Sequence, residues 1–146
     1  MRGQSGRIRP FEPADESQAI ALWQRCGLTR PWNDPAKDIC RKLAEQPELF
    51  GVLAGEDGQV VGTVMAGYEG HRGWINYLAV DPACQGLGLG RQLMDWAEAR
   101  LRERGCPKIN LQVRRGNEPV LAFYAALGYA DDSVVSLGKR LEHDDR

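Results

Sequence analysis

The sequence predicts a single α/β domain, a mixed central β-sheet with helices on both faces. Three observations predict it. The chain has 146 residues, and roughly 100–200 residues make one domain. Its strand and helix signals run β-α-α-β-β-β-α-β-α-β, an order that belongs to an α/β sandwich and not to a bundle or a barrel. The central strands are apolar on both faces, with Val60, Val61, Val64 and Met65 in one run, so each side of the sheet needs a covering layer.

Each element has its own signal. Arg7 to Arg9 reads as a short first strand, ended by Pro10 and Pro13. Asp15 stands where a helix N-cap belongs, and Ala19, Leu22, Trp23 and Cys26 recur at helical spacing up to Gly27. Thr29 to Asn33 reads as a loop. Asp34-Pro35 then supplies a cap and a first helical residue, and Ile39, Cys40, Leu43 and Ala44 form the stripe of a second helix that stops before Pro47. Strands follow at about Leu49 to Gly55 and Gln59 to Tyr68. Asp57-Gly58 between them is a favoured pair for a two-residue hairpin turn, in which both central positions take positive φ. The polar run Glu69 to Gly73 leads into a strand from Trp74 to Val80. A glycine-rich turn opens a long helix with the stripe Leu89, Leu93, Trp96, Ala97 and Leu101, closed by Gly105 and Pro107. The remaining elements are a strand over Lys108 to Val113, a helix from about Asn117 to Leu127, and a last strand pair within Tyr129 to Leu141. The polar tail, Glu142 to Arg146, is expected to fray.

Composition narrows the function. Hydrophobic residues make up 42% and charged residues 27% of the chain, a globular usage that excludes wholesale disorder. Nineteen Lys and Arg against twenty Asp and Glu leave a formal charge of −1, so no nucleic-acid partner is expected. No apolar run approaches the roughly 18 residues of a membrane span, and Met1 to Pro10 lacks the apolar centre of a secretory signal. The expected setting is cytoplasmic, with no membrane partner. Cys26, Cys40, Cys84 and Cys106 lie far apart, and His71 and His143 are remote from all four. Reduced structural thiols and no metal site are expected.

One stretch carries the chemistry: Val80-Asp81-Pro82-Ala83-Cys84-Gln85-Gly86-Leu87-Gly88-Leu89-Gly90-Arg91. A strand ends, Pro82 breaks it, and three glycines turn the chain straight into a helix. Free N–H groups at a helix start, with the positive end of its dipole, suit a phosphate or pyrophosphate. Missing side chains let the phosphates approach the amides. A Walker loop would need Gly-Lys-Ser/Thr, and Arg91 follows Gly90 instead. A dinucleotide fingerprint would need Gly at position 91 and an acidic residue after the next strand, where Arg114-Arg115 stand. The spacing Q/R-x-x-G-x-G/A fits Gln85, Gly88 and Gly90.

That loop resembles the coenzyme A pyrophosphate loop of the GNAT N-acetyltransferases. A second stretch supports the likeness. Asn117, then Ala122-Phe123-Tyr124, then Leu127-Gly128-Tyr129 is similar, with minor spacing differences, to that family's N-x4-A-x-x-F-Y-x-x-x-G-F/Y helix. The runs Arg30 to Pro35 and Ser136 to Leu141 are similar to a bacterial subfamily typified by the YpeA acetyltransferase. The resemblance spans about Ile8 to Leu141. It implies a GNAT fold with a splayed strand pair and acetyl-CoA as cosubstrate. It also implies a small-molecule amine or peptide acceptor, and allows a homodimer. By the same resemblance, Gln85, Gly86, Gly88, Leu89, Gly90 and Arg91 would hold the pyrophosphate. Leu78 would polarise the thioester carbonyl through backbone N–H, and Val80 would pair with the pantetheine amides. Asn117 would touch the cofactor, a role compatible with an N-cap. As bare sequence, Leu78 and Val80 are buried strand residues, and Arg91 could equally project into solvent.

Acetyl transfer needs a neutral amine, a place for the oxyanion, and a proton for the departing thiolate. A thiol titrates near ~8.5 and a tyrosine near ~10, so a tyrosine beside the sulfur can supply that proton. Tyr124 matches the family position for this role; alone it reads as a core aromatic. Glu69, ahead of His71, is the candidate for taking the amine's proton through water. Trp32, Asn33, Arg30 and Tyr68 are candidates for the acceptor wall. The rival reading is a non-catalytic acyl-CoA-binding sensor or interaction module. Tyr124 together with a complete loop favours the enzyme.

Overall fold

The computed structural model describes residues 7–145. Met1 to Gly6, where no leader is expected, and Arg146 of the polar tail lie outside the described residues. Strand β1 (Ile8–Pro10) is followed by α1 (Glu16–Arg25), α2 (Pro35–Leu43), β2 (Phe50–Ala54), β3 (Val60–Tyr68) and β4 (Gly73–Val80). Helix α3 (Leu89–Glu103), β5 (Ile109–Leu111) and α4 (Glu118–Ala126) complete the order. One sheet holds the strands in chain order, β1-β2-β3-β4-β5. The first four pair antiparallel, and β5 runs parallel to β4.

Alternation along β2 and β3 feeds two cores. Phe50, Val52 and Met65 pack with Leu22 and Trp23 of α1 and Ile39 of α2. Leu53, Val64 and Ala66 pack with Leu89, Leu93, Met94, Ala97 and Leu101 of α3 and Tyr124 of α4. Each large side chain so buried contributes about 1.5–3 kcal/mol relative to exposure. The result is a mixed sheet with helices on both faces, as predicted.

Several local expectations change. Asp34 does cap α2, its Oδ1 accepting from the N–H groups of Ala36 (2.9 Å) and Lys37 (3.3 Å). Asp15 does not cap α1. Its carboxylate takes both ends of the Arg9 guanidinium (2.8 and 3.0 Å) and the Glu12 N–H (2.8 Å), tying the helix start to β1. Cys40 faces solvent and leaves the α2 stripe. Asp57-Gly58 is not a two-residue turn, because only Gly58 takes positive φ (82°). Asp57 Oδ1 instead accepts from the Gln59 N–H (3.0 Å), and the loop closes from the Gly55 N–H to the Gln59 carbonyl (2.9 Å). An aspartate that bonds backbone two residues on stabilises this wider turn, and the register shifts beside it.

The last strand pair does not form among the described residues. Ser133 takes a left-handed φ (59°) beneath a turn in which Asp131 accepts its N–H (2.7 Å). The following Val134, Val135, Leu137 and Leu141 are largely exposed. Side chains alone tie this segment to the region of β5, Lys108 and Asn110 to Asp132 (2.9 and 2.7 Å) and Gln112 to Ser136. The tail beyond it is fastened where fraying was expected. The Asp144 side chain is 1% exposed. It accepts from the Asp34 N–H (2.9 Å) and from the Arg41 guanidinium (2.6 and 3.2 Å).

Strand β4 carries the irregularity that matters for function. Thr63 pairs with Ala79 and Met65 with Asn76, so Tyr77 and Leu78 together oppose Val64. That is a β-bulge with the extra residue on β4. Strand β5 pairs only with Gly73, Trp74 and Ile75. From Asn76 onward, among the described residues, β4 has a strand partner on one side and none on the other.

Candidate active site

The glycine-rich stretch begins where β4 ends. Asp81 Oδ1 accepts from the Ala83 N–H (2.9 Å) to start a 3-10 turn over Pro82–Cys84, and Gln85 reaches back to the Val80 carbonyl (3.2 Å). Gly88 is the N-cap residue of α3, at φ 80°, and no side chain caps the helix. The first bond of the helix runs from the Gln92 N–H to the Gly88 carbonyl (3.2 Å). The amides of Leu89, Gly90 and Arg91 therefore have no acceptor within the helix. A Cβ on Gly86 or Gly88 would meet nothing within 4 Å, so a ligand can approach here. Gly90 differs: a Cβ there would lie 3.0 Å from the Phe123 ring and 3.9 Å from Val80 Cγ2. Its small size lets α3, α4 and β4 meet, a packing reason additional to the one read from sequence. Leu89 is buried, and Arg91 is exposed.

Tyr124, next in the chain after Phe123, lies in the core on the α3 side. It is 9% exposed, with its ring edge-on to Phe123 (5.0 Å) and Tyr129 (5.7 Å). Tyr129 donates its hydroxyl proton to Glu98 (2.7 Å). The Tyr124 hydroxyl has no hydrogen-bond partner among the described residues, and burial alone pushes its pKa up to about 12. Asn117 caps α4, its Oδ1 accepting from the Val120 N–H (3.4 Å).

The bulge on β4 is held by a buried chain of hydrogen bonds. Trp23 Nε1–H donates to Thr63 Oγ1 (2.9 Å), and Thr63 Oγ1–H donates to the Tyr77 carbonyl (2.8 Å). The Tyr77 ring stacks on Trp23 (3.9 Å, 17°), and its hydroxyl donates to Asp38 Oδ2 (2.7 Å). Tyr77 takes φ 51°, a left-handed conformation that costs an L-residue roughly 1–2 kcal/mol. Its neighbours Leu78 and Val80 turn to the α3 face. Sequence reading missed Thr63, Tyr77 and Asp38, since no local pattern announces a bulge centred on tyrosine.

The proposed acceptor residues divide between two ends of the sheet. Trp32 and Asn33 lie in the α1–α2 loop, at the same end as the glycine-rich stretch. Arg25 of α1 pairs with Asp81 (2.8 Å), and the Arg114 guanidinium sits 5.9 Å over the Trp32 ring. Trp32 is 45% exposed. Arg140 holds Asn33 Oδ1, and Arg30 is turned to the Gly27 and Thr29 carbonyls. An open depression of about 480 Å³ lies between Gln24, Thr29, Arg30, Asn33, Pro35 and Asp144. Tyr68, Glu69 and His71 lie at the other end. The Tyr68 backbone bonds the Gln46 side chain (2.8 Å each way). Glu69 accepts from the N–H groups of Arg72 (2.6 Å) and His71 (2.5 Å), which hold its carboxyl below the ordinary range. Leu78 lies five residue steps along β4 from Gly73, roughly 16 Å. Among the described residues no group of His, Cys, Asp and Glu could hold a metal ion, and no helix is long and apolar enough to cross a membrane.

Known proteins resemble this chain in sequence and fold. Residues 17–129 match the acetyltransferase (GNAT) family. Acetyltransferase SG1711 of Sodalis glossinidius (strain morsitans) is 50% identical over 138 residues, covering 94% of this chain and 96% of that one. The crystal structure of Ard1 from Thermoplasma volcanium superposes with a TM-score of 0.75 at 30% identity, over 86% of this chain and 83% of that one. The ribosomal-protein-S18-alanine N-acetyltransferase from Escherichia coli does so with a TM-score of 0.69 at 25% identity, over 84% and 76%. A sheet opened beside β4, an uncapped α3 and a family match across both place the chain among the GNAT acetyltransferases, and it is an enzyme of that family.

Proposed function

We propose that the chain transfers an acetyl group from acetyl-CoA to the primary amine of a small molecule or peptide, as a member of the YpeA-type subfamily. One observation carries the reading. Tyr124, a buried phenol without a hydrogen-bond partner among the described residues, lies edge-on against Phe123, the ring that meets Gly90 at the uncapped start of α3. Leaving a buried hydroxyl unpaired costs about 1–3 kcal/mol, a cost that a ligand bringing a polar atom removes.

The residues present suit coenzyme A. The amides of Leu89 to Arg91 suit a pyrophosphate, with Gln85, Gly86 and Gly88 shaping the approach. Val80 and Leu78 offer backbone groups to the pantetheine arm and the thioester carbonyl. In the transfer, the amine nitrogen bonds to the carbonyl carbon, charge gathers on the oxygen before the Leu78 N–H, and the C–S bond breaks. The amine's surplus proton leaves to water, and the sulfur receives one through Tyr124. A phenol at about 12 gives its proton uphill to a thiolate titrating near ~8.5. The step is therefore late, and Tyr124 serves first as a hydrogen-bond donor to the charge growing on sulfur. We leave Glu69 out of the reacting set, because its carboxylate is engaged in its own turn, far along β4 from Leu78. Trp32 and Asn33 stay as acceptor-wall residues, and Tyr68 does not share their end of the sheet.

Titration calorimetry with acetyl-CoA and with ATP, followed by thiol release across an amine panel, tests the proposal. Acetyl-CoA should bind, ATP should not compete with it, and at least one amine should turn over. Binding without turnover on any amine would leave an acyl-CoA sensor as the better reading.

A further inference from the structure

We infer that Thr63 is a positioning residue for acetyl transfer, bridging Trp23 and Tyr77 so that the Leu78 N–H faces the open side of β4. The inference rests on the reading of Leu78 given above and names what fixes its amide. Thr63 and Trp23 are both 0% exposed. An indole N–H can only donate, so Thr63 Oγ1 must accept from Trp23 and send its own proton onward. The Tyr77 carbonyl, 2.8 Å away, receives it.

That bond orients a peptide. The Tyr77 carbonyl is turned toward a side chain of β3, and in a planar trans peptide the next N–H points the opposite way. The Leu78 N–H is therefore directed away from β3. On that side β4 has lost its neighbour, because β5 pairs no farther than Ile75. The stack of Tyr77 on Trp23 and the bond from its hydroxyl to Asp38 hold the same residue from its side-chain end. Together these contacts keep a tyrosine in a backbone conformation that it rarely adopts. Without the Thr63 bond, Tyr77 can relax to an ordinary φ, and the Leu78 amide swings with it. Thr63 and Asp15 are the buried polar residues of the described chain. Asp15 answers Arg9, whereas the proton of Thr63 goes to the bulge alone.

The test needs no acceptor. Protein is saturated with acetyl-CoA carrying ¹³C at the thioester carbonyl, and the carbonyl stretch is read by isotope-edited infrared difference spectroscopy. In the wild type the stretch should lie below that of free acetyl-CoA. Thr63→Val should lose at least half of that lowering, and Thr63→Ser should retain it, with acetyl-CoA affinity within about threefold in both. On an accepted amine, kcat of Thr63→Val should fall about 10- to 100-fold with the acetyl-CoA KM unchanged. If the valine protein does not fold, Thr63→Cys, of similar size and a weak donor, takes its place with the same expectation. Full lowering in the valine or cysteine protein overturns the inference and leaves the Leu78 reading standing. No lowering in the wild type overturns both.

Discussion

Strand β4 has two halves with different duties. Gly73, Trp74 and Ile75 are paired on both sides, to Tyr68, Gly67 and Ala66 of β3 and to Ile109, Asn110 and Leu111 of β5. Asn76 to Val80 are paired on one side, carry the bulge, and face the start of α3. The first half spends its backbone groups on the sheet. The second has groups to spare for a ligand. The contrast shows how backbone groups are left without a strand partner when a neighbouring strand is withdrawn and one extra residue bulges the remaining pair.

The largest test of that contrast lies in the open half. Tyr124→Phe keeps the ring and its packing, so fold and acetyl-CoA affinity should hold while turnover falls about 10²- to 10⁴-fold. A loss confined to affinity would make the hydroxyl an anchor only. Next, Gly88→Val places a β-branched residue at φ 80° without touching a neighbour. Roughly 1–3 kcal/mol of strain at the phosphate approach should weaken acetyl-CoA binding ~5- to 150-fold by calorimetry. In the closed half the same kind of change should read out differently. Gly73→Ala puts a Cβ 2.8 Å from Cys106 Sγ; about 1–3 kcal/mol of stability should be lost in denaturant unfolding, with acetyl-CoA affinity unchanged. Weakened binding in that variant would break the division.

A smaller effect concerns pH. The Tyr124 pKa is raised by burial from 10.0 to about 12, so the folded state holds its proton more tightly than the unfolded chain. Its contribution is complete below pH 10 and is lost as pH rises toward 12, on the order of 2 kcal/mol in all. Chemical unfolding at pH 9 and 11 should show the wild type losing more stability than Tyr124→Phe. Smallest of all, Glu69→Gln should leave kcat within about twofold. A hundredfold fall would return Glu69 to the proton-transfer chemistry and move the site toward the closed end.

The parts of this division that local chemistry controls could be read in the sequence. Asp34-Pro35 announced its cap, the alternation of β3 announced two covering layers, and Gln85 to Arg91 announced a helix start without a side-chain cap. The bulge could not be read. A strand from Trp74 to Val80 counted by strict alternation places Ile75 and Leu78 on opposite faces, yet both pack on the α3 side. One extra residue inverts the parity, and its anchors, Trp23, Thr63 and Asp38, come from three other elements. Val134 to Leu137 carried strand propensity, but Ser133 and Asp131 made a turn first. Propensity proposed a strand and tertiary context did not complete it.

The order of the strands has a further consequence for how the molecule assembles and loosens. β2, β3 and β4 follow one another through short loops, whereas β5 reaches β4 only after the whole of α3. Near contacts form before distant ones because closing a long loop costs entropy before its contacts exist. The β2–β4 meander is thus the early and durable slab, and β5, held by three rungs, joins late with α4. Regions joined late by few contacts are also those that open most readily in the native state. The unpaired edge of Asn76 to Val80 therefore borders the part of the sheet expected to open first, and amide hydrogen exchange should be faster in the β4–β5 rungs than within the meander.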